Sequence, residues 1–308
     1  MGHDPAIPAQ RLLFEPVKDN YGTRLALVFG NEAPKGACPF YGRQCYHCDI
    51  GAGEGVQFNT DLNRLRLAFF RQQYAAVLPR VAHLVLYNSG SVLNPGELSD
   101  PSLKAILDFA AGLPECRVVS LDSREAFITS RRLDFVLKCL GGGQQPRPIL
   151  GLETQDDAAR LFVLNKKMPR RGVEAAFRAA GRYGGRVGMD INIVFAPPPF
   201  QGRQAGAEAR ATACFALDLA RRHGVPLDFN LHPYYPSRIG RERFPDHPRA
   251  GLGAALDTAR RIRTAVARSG LRSKVFLGWQ DEAHDQEPAL RSAELSRYRE
   301  RFARFNAP

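Results

Sequence analysis

Residues 24–50 read RLALVFGNEAPKGACPFYGRQCYHCDI. The stretch opens on RLALVF, an apolar run of strand length, and passes through Gly30, Pro34 and Gly36 into a loop that carries Cys38, Cys45 and Cys48. An almost wholly apolar strand reads as one buried on both faces, which is the condition of a parallel sheet covered by helices. The same unit recurs along the chain. Strands are expected at 24–29, 83–87 (HLVLY), 117–121 (RVVSL), 148–152 (PILGL), 187–195 (VGMDINIVF), 227–231 (LDFNL) and 274–277 (KVFL). Between them lie stretches with apolar residues at three- and four-residue spacing, among them DLNRLRLAFFRQQYAAVLPRV, PSLKAILDFAAGL, GVEAAFRAAGRY, EARATACFALDLARRH and GAALDTARRIRTAVARS. The pattern predicts an α/β protein, a partial or complete parallel βα (TIM-like) barrel of about six to seven strands.

Each expected strand runs at its C-terminal end into polar or glycine-rich residues: NSGS, DSRE, ETQDD, APPP, HPYYPS and GWQDEAHD follow the later strands as the cysteine loop follows the first. In a parallel barrel those ends converge on one face, where the site is built.

A chain of 308 residues fits one barrel. The expected organisation is a single domain: 1–23 as an N-terminal extension, 24–270 as the core barrel, and 271–308 as a C-terminal strand and helix closing it. Hydrophobic residues make up 44% and charged residues 24%, which excludes disordered and fibrous classes. No apolar run reaches the roughly 18 residues of a membrane span. The start, MGHDPAIPAQRLLFEP, lacks the basic opening and apolar core of a secretory signal. The expectation is therefore a cytoplasmic protein with no membrane partner, its six cysteines being thiols or metal ligands. The 43 basic against 31 acidic residues leave a formal charge of +12, which favours nucleic acid or other anionic partners. Most of the cations are Arg, spread over many segments rather than gathered on one.

Cys38, Cys45 and Cys48 stand in a C-x6-C-x2-C pattern, in a loop whose glycines and proline let it wrap a compact object. A structural zinc site would need a fourth ligand, for which His47 and Asp49 are available but badly placed beside Cys48. A [4Fe-4S] cluster with three protein thiolates leaves one iron open for an exogenous ligand. Cys116, Cys139 and Cys214 read as small buried apolar side chains, so one cluster is expected.

Three cysteines after the first strand of a βα barrel resemble the radical SAM superfamily, which uses S-adenosylmethionine (SAM). The usual spacing there is C-x3-C-x2-C, and the longer first gap here is similar to the branch of the elongator catalytic subunit and of the radical SAM subunit of archaeosine synthesis. CPFYGRQCYHCDIG, YNSGSVLNPGELS, VVSLDSREAFIT, ILGLETQDD with NKKM, and APPP carry the likeness. The resemblance implies that Cys38, Cys45 and Cys48 ligate three irons and that SAM chelates the fourth. His47 stands where the family stacks on adenine. Asn88, Ser89, Gly90 and Ser91 stand at its glycine-rich motif, while Asp122, Ser123 and Arg124 stand at the segment contacting the SAM carboxylate and ribose. Glu153 falls at the boundary of SAM and substrate. It further implies cleavage of SAM to a 5′-deoxyadenosyl radical that takes hydrogen from a small-molecule metabolite, or from tRNA or a modified nucleoside. The electron would come from an external donor of flavodoxin or ferredoxin type. The late strands are left for substrate: Asn230, His232 and Tyr234 after the sixth, Gln280, Asp281 and His284 after the seventh.

Overall fold

The computed structural model describes residues 13–48, 50–278 and 293–307. Gln280, Asp281 and His284 lie outside the described residues. One eight-stranded sheet runs in sequence order: β1 (Val17–Asp19), β2 (Gly22–Val28), β3 (Val81–Tyr87), β4 (Val118–Ser123), β5 (Gln145–Glu153), β6 (Met189–Phe195), β7 (Leu227–Pro233) and β8 (Val275–Leu277). All seven expected strands are present as β2 to β8, each parallel to the next. The sheet has one strand more than expected. β1 turns back antiparallel on β2, and its three residues are too short to show a period.

Helices cover the sheet: α1 (Thr60–Gln73), α2 (Asp100–Ala111), α3 (Ser130–Leu140), α4 (Arg170–Gly181), α5 (Gly202–His223), the short α6 (Arg238–Arg243), α7 (Leu252–Ser269) and α8 (Ala293–Asn306). Their ends follow local chemistry. The side chains of Asn59 and Thr129 accept from the Leu62 and Arg132 amides and start α1 and α3, satisfying donors the helices leave unpaired.

Alternation along the strands sorts residues into two sets. Leu25, Leu27, Leu84, Leu86, Leu121, Leu150, Ile191, Phe229 and Leu231 face the helices in the main core. Ala26, Val85 and Ile149 form a separate small cluster with Phe14 and Tyr87, the apolar middle of the barrel. Below it, near the strand starts, the barrel floor is polar. His83 bonds Asp19 at 2.6 Å and Ser120 at 2.8 Å. Ser120 donates to Asp190, Arg147 pairs with Asp190 at 2.7 Å and with Asp228 at 3.2 Å, and the Tyr21 hydroxyl donates to Asp228. Burial raises the Asp228 carboxyl, against the charge of Arg147, which lowers it.

Among the described residues β8 does not pair with β1, so the sheet is nearly closed. Side chains bridge the gap: the Arg24 guanidinium lies 4.2 Å over the Phe276 ring, and the Lys274 ammonium 3.2 Å over that of Tyr21. No helix among the described residues is long and apolar enough to cross a membrane.

Candidate functional site

The cysteine loop lies between β2 and α1, at the C-terminal mouth of the barrel. It folds back on itself where Cys38 N donates to Gly51 O at 2.9 Å and Cys48 N to Cys45 O at 3.0 Å. Gly36 allows the crossing, since a Cβ there would sit 1.8 Å from Val56 O. Arg66 of α1 grips the end of the loop with a two-pronged pair to Glu54, at 2.6 and 2.7 Å. Burial pushes the Cys38 thiol up to about 11 and the Cys48 thiol up to about 12, and in both cases the neighbouring cysteines push the same way. The three sulfurs thus share one electrostatic neighbourhood. Cys45 itself has a left-handed backbone, φ 55°, a conformation that non-glycine residues adopt at a cost and that clusters at functional sites.

Among the described residues, no group of three or more His, Cys, Asp and Glu side chains is close enough to hold a metal ion. The donor set nonetheless fits a cluster. Three soft thiolates on one loop each find their own iron on a cube, and need not converge on a single ion. Cys116 lies at the start of β4, buried, with its thiol on Val118 O, at the end of the barrel away from the loop. Cys139 is half-buried on α3, and Cys214 is exposed on α5, which corrects the expectation that it packs inside.

The connection after β3 meets this loop. Ser89 Oγ donates to Gly36 O at 3.1 Å. Asn88, 1% exposed, accepts the Gly90 amide at 2.9 Å, while its Nδ2 has no hydrogen-bond partner. A buried donor without a partner carries a desolvation cost that a ligand can relieve. Glu97, fully buried, accepts from the Ser91 amide at 3.1 Å and from Asn31 and Asn94, and burial raises its carboxyl. A Cβ on Gly90 would fall 1.5 Å from Glu97 Oε2. The glycine therefore lets the backbone lie against the carboxylate.

After β4, Asp122 O accepts the Val92 amide at 2.8 Å, Ser123 Oγ donates to Arg124 O at 3.1 Å, and Arg124 N donates to Ser91 Oγ at 3.2 Å. The Arg124 guanidinium turns to the cysteine loop. Its Nη2 donates to Lys166 O at 2.6 Å, and its Nη1 to Gln44 Oε1 at 3.3 Å and to Cys45 Sγ at 3.7 Å. Glu125 is 3.6 Å from its Nε, and the Phe40 ring lies beneath at 4.3 Å.

Glu153 ends β5 with φ 64°. Its carboxylate bonds the Lys166 ammonium at 2.6 Å and approaches His47 Nε2 at 3.5 Å. Burial alone would raise this carboxyl; Lys166 and His47 instead hold it below the usual carboxylate range. The Lys166 ammonium is raised by the same partner against its own burial. His47 Nδ1 is buried without a hydrogen-bond partner. The connector 164–166 also docks on the cysteine loop, where Cys45 N donates to Asn165 O at 3.2 Å, Tyr46 N to Leu164 O at 3.0 Å, and Asn165 Nδ2 to Arg43 O at 2.9 Å. Lys166, Gln44, Asn165 and Glu97 had no place among the expected site residues. The NKKM segment was the available signal, but nothing in it says that one lysine turns inward and the next outward.

On the late strands, Asn230 Nδ2 donates to Asn192 Oδ1 at 3.0 Å inside the barrel. His232 follows one inward position higher, across the ladder from Val194, with Gly278 so near that a Cβ there would meet its ring at 2.5 Å. Tyr234, 2% exposed, stacks edge-on against His247 at 5.3 Å. The structure therefore brings together His47, Cys45, Arg124 and Glu153 in one cluster of contacts, tied through Ser91 and Gly36 to the loop after β3.

No protein-family model and no curated protein matches the chain. Among solved structures, Streptococcus suis SuiB bound to S-adenosylmethionine matches with a TM-score of 0.53 and 10% identity, over 89% of this chain and 54% of that one. This chain and SuiB share a fold. SuiB alone gives a TM-score of 0.52 at 10% identity over 83% and 49%, and SuiB bound to the precursor peptide SuiA gives 0.51 at 12% over 87% and 50%. The chain spans about half the length of SuiB.

Proposed function

We propose that the chain is a radical SAM enzyme, with a [4Fe-4S] cluster ligated by Cys38, Cys45 and Cys48. The observation that carries this reading is a loop of three cysteines at the mouth of a barrel whose fold is shared with a SAM-bound protein. When bound, cluster and SAM together supply one-electron cleavage of a carbon–sulfur bond, and so a carbon radical that takes hydrogen from substrate. The protein's part is to bind, orient and exclude water. Asn88 offers an unpartnered Nδ2 to a bound SAM, while Gly90 lets the turn pack against Glu97, and Ser89 and Ser91 fix that turn. His47, steered by Glu153 and Lys166, keeps Nδ1 free for the adenine side. Asp122 and Ser123 shape the opposite wall.

The substrate proposed is a small polar metabolite, recognised deep in the barrel by Asn192, Asn230 and His232. The electron donor proposed is an external flavodoxin- or ferredoxin-type protein. Action on tRNA or a modified nucleoside, as in the archaeosine-like branch, is the second reading, and the charge of +12 favours it. Anaerobic reconstitution, with iron and sulfide analysis followed by a SAM-cleavage assay on metabolite and RNA pools, tests both. About four irons per chain and substrate-stimulated cleavage are expected. A stoichiometric zinc content without charge-transfer absorption refutes the cluster.

A further inference from the structure

The Arg124 guanidinium touches three parts of the chain at once, and one of its contacts is a cluster-ligand sulfur. We propose that Arg124 is the positioning residue of the cluster: it fixes Cys45 against the β5–α4 connector and, by donating to the Cys45 sulfur, raises the reduction potential of the cluster. This rests on the cluster reading above.

The argument is geometric. The cysteine loop reaches the connector through backbone bonds at Cys45 and Tyr46, and Arg124 locks the same junction from the β4 side through Lys166 O and Gln44 Oε1. A planar fork with Phe40 stacked beneath it has little freedom to swing away. Both Nη atoms of the fork are already engaged, by Lys166 O, Gln44 Oε1 and the Cys45 sulfur. The other nearby cation, Lys166, is matched by Glu153. Arg124, in contrast, has Glu125 only at 3.6 Å and directs a charged donor at sulfur. Hydrogen bonds to cluster sulfurs and nearby positive charge favour the more negative, reduced state, so they shift the potential upward.

The test uses the full chain in two arms. In the apo protein, hydrogen exchange at the Cys45 and Tyr46 amides should quicken in Arg124→Gln, and this arm stands even if no cluster assembles. In the reconstituted protein without SAM, an EPR-monitored redox titration should show a lower midpoint potential for Arg124→Gln than for the wild type. Asn165→Gly, which keeps the left-handed backbone but loses the bond to Arg43 O, should quicken exchange and leave the potential in place. An Arg124→Gln protein with full iron and a wild-type potential overturns the proposal, as does one whose sole defect is weaker SAM binding. If Arg124→Gln takes up no iron although it melts like the wild type, exchange decides: faster exchange at Cys45 and Tyr46 supports the proposal, and unchanged exchange overturns it. A wild-type chain that binds no cluster refutes the cluster reading instead, and the exchange arm keeps the two failures apart.

Discussion

Replacing Arg147 by Met tests whether the barrel floor is held by charge. Arg147 is 2% exposed and pairs with Asp190 at 2.7 Å and Asp228 at 3.2 Å, while also donating to Gln145 Oε1 at 2.8 Å. Methionine fills much of the volume but leaves two carboxylates facing each other out of water. Breaking a buried pair from one side costs about 3–5 kcal/mol, which for a chain of 308 residues lowers Tm by roughly 5–8 °C. The deficit should depend on pH. The folded Asp228 carboxyl is already raised by burial, and losing Arg147 raises it further. A group with a raised folded pKa contributes stability in its protonated form, fully below its unfolded value near about 3.9, and loses it as pH rises through the folded value. The Arg147→Met deficit should therefore be largest at pH 8 and shrink toward pH 5, and Arg147→Met/Asp228→Asn should recover part of it at pH 8. Urea denaturation followed by circular dichroism measures all three. A deficit under about 1 kcal/mol, or one that does not change with pH, refutes the idea that the floor is an electrostatic brace.

Alanine at Cys38, Cys45 or Cys48 should each abolish iron uptake, whereas serine at Cys116, Cys139 or Cys214 should leave iron content unchanged; a large loss from any of the latter three would mean a second cluster ligand was misplaced. His232→Ala should keep iron content and SAM affinity and lose turnover, as read by titration calorimetry beside the cleavage assay; equal loss of SAM affinity would place the late strands in the SAM site. Asp19 is held below its ordinary value by His83, against its own burial. The stability that Asp19 adds over Asp19→Asn should thus be complete at pH 7, begin to fall near about 4, where the unfolded carboxylate protonates, and vanish once pH drops through the lower value of the folded carboxylate. Denaturation at the two pH values checks it, and a gap that persists in acid counts against the pair.

How much of this the sequence discloses depends on where the information sits. Strands β2 to β8 are legible because burial on both faces makes most of each strand apolar, and the cysteine loop is legible because its three cysteines lie within eleven consecutive residues. The antiparallel β1 escapes because three residues cannot show alternation. The floor has a visible signal: Arg147, Asp190 and Asp228 each place a charge near the start of a largely apolar strand, two residues before Ile149, Asn192 and Asn230. A charge there makes sense once the barrel brings the three strands side by side. Lys166 and Gln44 are harder still, since their partners Glu153 and Arg124 become neighbours only through the fold.

The unpaired edge between β8 and β1 changes what it takes to widen the barrel. A fully laddered cylinder keeps its girth unless backbone hydrogen bonds break in a row. Here the circuit among the described residues is completed by side chains: the Arg24 guanidinium on Phe276, the Lys274 ammonium on the Tyr21 ring and on Asn20 O, and the Tyr21 hydroxyl on Asp228. The molecule is thus built like a cuff closed by a clasp of side chains. The clasp joins β8, the neighbour of the β7 residues Asn230 and His232, to Arg24 of β2 and to the β1–β2 turn, so a change of girth falls on these side chains while the cysteine loop stays braced by α1 and the 164–166 connector.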